Sequence, residues 1–218
     1  MGHIILTTHS LIWVLLTIIA TLAVFSGLVT PQWLQSQTPV PYANGTMYMI
    51  PSIGIFNRCI KLNNQKNCAS FATDGLSTNS QSFPTLWKTS LIMFTLGMAI
   101  MVFTVMTAVL SCCVQSVYKK SIFTVTGTVQ AVAGIFYLLG LILYTAGWGC
   151  PRVVRLCGEE AGAFSRANCT FGTSLYVALA GTALTFFTAV LSVKAEKTTS
   201  SDRVSHQVEK GETIVCLL

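Results

Sequence analysis

Eight cysteines, three histidines and the adjacent carboxylates Glu159-Glu160 are the side chains of this sequence best suited to covalent, metal or acid–base chemistry. The histidines do not make a site. His3, His9 and His206 have no cysteine at metal-ligand spacing. No phosphate-binding glycine loop or nucleophile elbow is present. Glu159 and Glu160 read as a solvated loop face rather than as a general acid and base. The chain therefore reads as non-enzymatic, with no catalytic residue, no cofactor, no metal site and no nucleic-acid partner.

The cysteines point instead to cross-links. Cys59 and Cys68 enclose eight residues that include Asn63 and Asn64, a turn-rich composition. That spacing predicts a hairpin stapled by one bridge, which contributes about 2–4 kcal/mol by restricting the unfolded loop. Cys150, Cys157 and Cys169 form an odd set, and sequence alone does not fix connectivity. Cys157–Cys169 with a free Cys150 is the preferred pairing, and Cys150–Cys169 is its main competitor. Cys112 and Cys113 end an apolar run, a position that suits S-palmitoylation and, equally, two buried thiols. The terminal Cys216-Leu217-Leu218 is not a prenylation box, which needs Cys fourth from the end. Its hydrophobic end offers a weak match to a PDZ-type pocket. Of two N-glycosylation sequons, Asn44-Gly45-Thr46 reads as used. Asn168-Cys169-Thr170, crowded by a helix and a bonded cysteine, reads as unused.

The elements that must position these residues lie in a membrane. The chain is 52% hydrophobic and 9% charged, with a mean hydropathy of +0.65. Soluble domains are about a quarter charged, and disordered chains are poorer in apolar residues. No Asp, Glu, Lys or Arg occurs in 1–57, 89–118, 121–151 or 167–193. Each interval holds a spanning helix, which needs about 20 apolar residues. Helices are predicted over about 11–29, 87–114, 122–147 and 171–193, with loops at 30–86, 115–121 and 148–170 and a tail at 194–218. Pro31 and Pro151 follow the first and third helices and stop them. The first run exceeds the roughly 7–15-residue core of a cleaved signal peptide and has no Lys or Arg before it, so it reads as retained.

Orientation follows from charge and redox chemistry. The short Lys119-Lys120 loop favours the cytosol. Five of the eight cysteines fall in the two long loops, as an oxidising exterior permits. The long loops therefore face outward and both termini face the cytosol, in what reads as the plasma membrane. Trp33, Trp87 and Trp148 at the outer helix ends read first as residues of the headgroup belt. The first long loop is no linker: 46–62 alternates like a half-exposed strand, and 73–82 suits an ordered turn or short helix.

A transporter should carry ionisable groups at mid-depth, and none of the spans does. Gln130 lies well inside the third span, where an amide suits a hydrogen bond to a neighbouring helix. Lys88, near a helix end, can snorkel. Gly127, Ala131 and Gly134 on the third helix and Gly181 on the fourth allow close helix packing. Packing within the bundle is the default reading, and a partner's helix is the sharper one. The tail from Lys197 to Glu212 mixes signs and is no polybasic lipid patch.

Trp33, then Gly54-Ile55-Phe56, then Cys59 and Cys68 resemble the Trp, Gly-Leu-Trp, Cys, Cys order of the claudin-like superfamily, with Phe56 at the last Trp. Lys119-Lys120-Ser121-Ile122-Phe123, the run from Leu141 to Cys150, Cys157-Gly158 and Cys169 resemble more closely the lipoma fusion partner-like (LHFPL) tetraspan family. Ser200-Ser201-Asp202 and Cys216-Leu217-Leu218 are most similar to its second subfamily. That subfamily typically has Pro where this chain has Thr145, so less kinking of the third helix is expected.

The resemblance covers nearly the whole chain. It implies an all-α membrane fold, a left-handed four-helix transmembrane bundle with a small extracellular antiparallel β-sheet. Four strands would come from the first loop and one from the second. It also implies an accessory subunit, embedded in membrane lipids, that binds a larger integral membrane channel or receptor and aids its delivery, clustering or gating. Claudin-like cell–cell adhesion or barrier formation, by self-association of the outer loops, is the alternative. A pore-forming oligomer is the third class.

Overall fold

A computed structural model describes residues 4–42, 47–62, 65–70, 84–110, 116–117, 120–201 and 214–217. Among them are helices α1 (Thr8–Val29), α2 (Thr85–Leu110), α3 (Ile122–Ala146), α4 (Pro151–Cys157) and α5 (Thr173–Thr199). Four of these, α1, α2, α3 and α5, are long and apolar enough to cross a membrane. In hydrocarbon every backbone N–H and C=O must be satisfied within the segment, so these runs are helical although Val, Ile and Thr are frequent in them. Their hydroxyls obey the same constraint. Buried Thr17, Thr21, Thr104, Thr185 and Thr188 each donate to a carbonyl three or four residues earlier in their own helix. Large apolar side chains such as Leu15, Phe103, Ile142 and Val190 stand exposed along all four helices, as a lipid solvent requires. The chain is an integral multi-pass membrane protein with a tetraspan helical bundle.

The chain divides into two compact units, one of residues 1–22, 96–135 and 180–218, the other of 23–95 and 136–179. In the first, buried Trp13, Ala108, Phe123 and Ala195 form a core with Val14 and Leu191 against it. Trp13 meets the edge of Phe123 at 5.3 Å between ring centroids. Gln130 is buried, and its Nε2–H donates to Thr17 Oγ1 on α1 at 3.1 Å. α5 continues six residues past Val193 to Thr199. Ala195 belongs to the core there, and Glu196 accepts a bond from Thr124. Strand β1 (Ile4–Thr7) pairs in parallel with β10 (Ile214–Leu217), and β7 (Ser116–Val117) pairs with β8 (Lys120–Ser121).

The second unit carries the antiparallel sheet: β2 (Leu34–Ser36), β3 (Val40–Tyr42), β4 (Met47–Ile53), β5 (Asn57–Leu62), β6 (Gln65–Ser70) and β9 (Cys169–Phe171). The order is β6-β5-β4-β2-β9, with β3 also on β4. The stretch expected as one half-exposed strand is two, β4 and β5, split at Gly54–Phe56. Among the described residues, five strands rather than four come from the first long loop. β2 covers only the end of the seven-residue β4, with Leu34 opposite Ile53, and β3 covers its start, with Val40 opposite Met49. Asn44, Asn63, Asn64, Cys112, Cys113, Lys119 and the segment 73–82 lie outside the described residues.

Candidate functional site

Trp33 is the joint at which the sheet meets the helices of its unit. Its backbone N–H donates to Ile53 O at 3.0 Å, and its carbonyl accepts from Gly172 N–H at 2.9 Å. The indole Nε1–H donates to Gly27 O near the end of α1 at 2.8 Å. One residue thus links β4, the start of α5 and the last turn of α1. The ring is fully buried and packs on Tyr144 at 4.8 Å and Phe94 at 5.7 Å. Around it Trp87 stacks on Tyr144 at 5.1 Å and donates its Nε1–H to Tyr144 O at 3.2 Å. The rings continue through Trp148 and Phe171 to Tyr176.

All three tryptophans are core rather than belt residues. Trp33 and Trp87 are wholly buried and Trp148 is 3% exposed. A belt residue leaves its N–H to the headgroups, whereas Trp33 and Trp87 spend theirs on helix carbonyls. No sequence signal separates the two cases, because both place Trp at a helix end.

Gly54, Ile55 and Phe56 form the turn between β4 and β5. Gly54 N–H donates to Asn57 O at 2.8 Å, and Asn57 Nδ2–H donates to Val29 O, one of the orphan carbonyls that end α1. A Cβ on Gly54 would meet the Asn57 side chain and lie 2.9 Å from Pro31 Cα, so the close approach requires glycine. Ile55 is buried and Phe56 half-buried. This motif packs the β4–β5 turn against the end of α1.

Two disulfides stiffen the unit. Cys59 and Cys68 face each other across β5 and β6 and are bonded. Cys157 at the end of α4 is bonded to Cys169 at the start of β9, and Cys150 is a buried free thiol. Cys157 O also accepts from Asn168 N–H at 3.1 Å. The cation of Arg166 lies 4.4 Å above Phe171. Replacing Cys157 by Ser is expected to free α4 from β9 and cost about 2–5 kcal/mol. Thermal unfolding of the purified protein checks this. An unchanged Tm would mean that hydrogen bonds alone hold α4 in place.

The small residues of α3 named from sequence lie in the first unit. A Cβ on Gly127 would meet Ser192 on α5, and one on Gly134 would lie 2.7 Å from the Phe186 ring. Ala131 is half-buried and Gly181 buried. Gly127 and Gly134 therefore face a helix of the same chain.

One further group, Arg58, Arg152 and Arg155, has no role assigned to it from the sequence. Arg58 lies on β5 opposite Ile53 of β4, and Arg152 and Arg155 lie one turn apart on α4. All three line one cleft. Burial first, and then the positive charge of Arg58, hold Arg152 below its ordinary pKa, while Cys150 acts the other way. Guanidinium remains protonated at neutral pH regardless. The spacing of Arg152 and Arg155 behind a helix-starting Pro151 was the available signal. Glu159 and Glu160 are exposed, in keeping with a solvated face.

A family profile described as Lipoma HMGIC fusion partner-like protein matches residues 9–194. LHFPL tetraspan subfamily member 2 protein of Homo sapiens is 36% identical over 238 aligned positions, covering 100% of both chains. LHFPL tetraspan subfamily member 2a protein of Danio rerio is 34% identical over 230 positions, again covering 100% of both. LHFPL tetraspan subfamily member 5 protein of Gallus gallus is 23% identical, over 92% of this chain and 87% of its own.

Proposed function

The chain belongs to the lipoma HMGIC fusion partner-like family of tetraspan membrane proteins, and from that premise we propose that it is a non-enzymatic accessory subunit. It binds a larger channel or receptor in the same membrane and aids its delivery, clustering or gating. The observation that carries this reading is the stapled sheet. Two disulfides and buried Trp33 fix a sheet whose terminal strand β6 is exposed along its whole length. Among the described residues no strand pairs with the outer edge of β6, and an exposed edge of a rigid sheet is a surface on which another protein can pair.

The sheet faces the cell exterior and both termini face the cytosol. The disulfides support that orientation, since they persist in oxidising compartments. The plasma membrane is the destination, and membrane lipids surround the exposed apolar faces. Claudin-like adhesion by self-association is the second reading, favoured by the same exposed edge.

The test is mild-detergent purification from native membranes with cross-linking and mass spectrometry. A recurrent larger channel or receptor, linked through the sheet or the spans, is expected. Recovery of this chain alone, cross-linked to itself through β6, would move the assignment to adhesion. Conductance in vesicles holding only this protein would move it to a pore.

A further inference from the structure

The cleft between β4–β5 and α4 has a volume of about 700 Å³ and carries Arg58, Arg152 and Arg155 on its walls. Ile53 and Ile60 line the strand side and Leu156 the helix side. No Asp or Glu lines it among the described residues. Arg58 and Arg152 repel one another across this concavity, with Arg155 on the same wall as Arg152, and an anion placed beside them eases that repulsion.

The cleft is also held open as a fixed shape. Arg58 adjoins Cys59, whose bond to Cys68 locks β5 to β6, and Arg155 lies two residues before Cys157, whose bond to Cys169 anchors α4. Guanidinium forks on anchored backbone lose little freedom on binding and match carboxylates in a bidentate way.

We propose that this cleft binds an acidic peptide segment, carboxylate side chains interleaved with apolar ones, presented by the outer part of the partner protein. The proposal rests on the accessory-subunit reading and names the chemistry of its contact. A bare anion would need the cations but not the apolar walls. The volume lies in the range of pockets that bury a ligand of drug size, which is several residues of peptide. Anionic phospholipid concentrates in the cytoplasmic leaflet, which in the proposed orientation is the opposite side from the cleft.

Arg58 and Arg155 are exposed, so R58Q/R155Q should fold, and size-exclusion profile and Tm verify that. The probe is a fluorescent octapeptide alternating Glu with Leu, titrated into the full-length protein in zwitterionic nanodiscs. The wild type is expected to bind it, and affinity should fall at least about tenfold in R58Q/R155Q, the loss of two charge-assisted contacts. Binding should weaken as salt is raised, and the Gln-for-Glu peptide should not bind. Equal binding by wild type and variant, equal binding of the two peptides, or no binding at all overturns the proposal. So does binding of phosphatidylserine vesicles that depends on these arginines when the peptide does not bind. Partner recovery separates this proposal from the broader one. If the variant recovers the same partner as the wild type, the cleft is wrong and the accessory role stands. If the peptide binds but no partner is recovered, the cleft stands and the accessory role falls.

Discussion

Trp33→Ala is expected to abolish a stable sheet-bearing unit, lowering the Tm of the purified protein sharply and leaving little protein in a monodisperse peak. Truncating a buried Trp removes its packing and leaves a cavity, together about 3–5 kcal/mol. Here the cavity opens against Tyr144 and Phe94, and Gly27 O loses its donor. An unpaired buried carbonyl adds about 1–3 kcal/mol. Total stabilities of single domains are commonly 5–15 kcal/mol, so the loss is a large share of what is available. Trp33→Phe refills part of the space without restoring the N–H and should fall between wild type and Ala. Thermal unfolding in detergent, followed by size-exclusion chromatography, reads both. If Trp33→Ala melted with the wild type, the ring would be a headgroup anchor after all, and the joint would depend on backbone bonds alone.

That distinction marks how far the sequence could be read. The spans were legible because lipid imposes a long-range rule, apolar runs free of charge, that local propensity does not override. Cys59 and Cys68 were legible because a turn-rich segment between two cysteines brings them opposite each other with no reference to the rest of the fold. The burial of Trp33 was not legible. It depends on Phe94 and Tyr144, residues far along the chain that no local pattern ties to position 33. The arginine cleft was hidden for the same reason. Arg58 and Arg152 lie in different loops, and only the sheet register and the short helix α4 bring them to one cavity. The extra strand β3 was missed because its need arises from the length of β4, a property of its neighbour.

Gly127→Leu is the second large effect, and it decides what the small residues of α3 are for. If they formed a partner's docking stripe, the variant would fold and lose only the partner. The geometry predicts the opposite. Even a Cβ at this position meets Ser192 Oγ, with Ser192 Cβ at 2.8 Å and Ala189 O at 3.1 Å, and the last is backbone. Overpacking costs about 1–3 kcal/mol where side chains can adjust. A Leu against backbone has no such adjustment, and in lipid the helices have little hydrophobic drive to hold a poorer fit together. The variant should therefore aggregate or melt well below the wild type. Val125→Leu, at an exposed position on the same helix, should do neither. Because the first obstruction is the Ser192 side chain, Gly127→Ala combined with Ser192→Gly should recover part of what Gly127→Ala loses, a coupling expected only of residues in contact. A well-folded Gly127→Leu that failed to recover a partner would return this stripe to the outside of the bundle. A poorly folded Gly127→Leu, together with partial rescue of Gly127→Ala by Ser192→Gly, makes Gly127 a packing position inside the bundle, so that any partner is bound elsewhere on the chain.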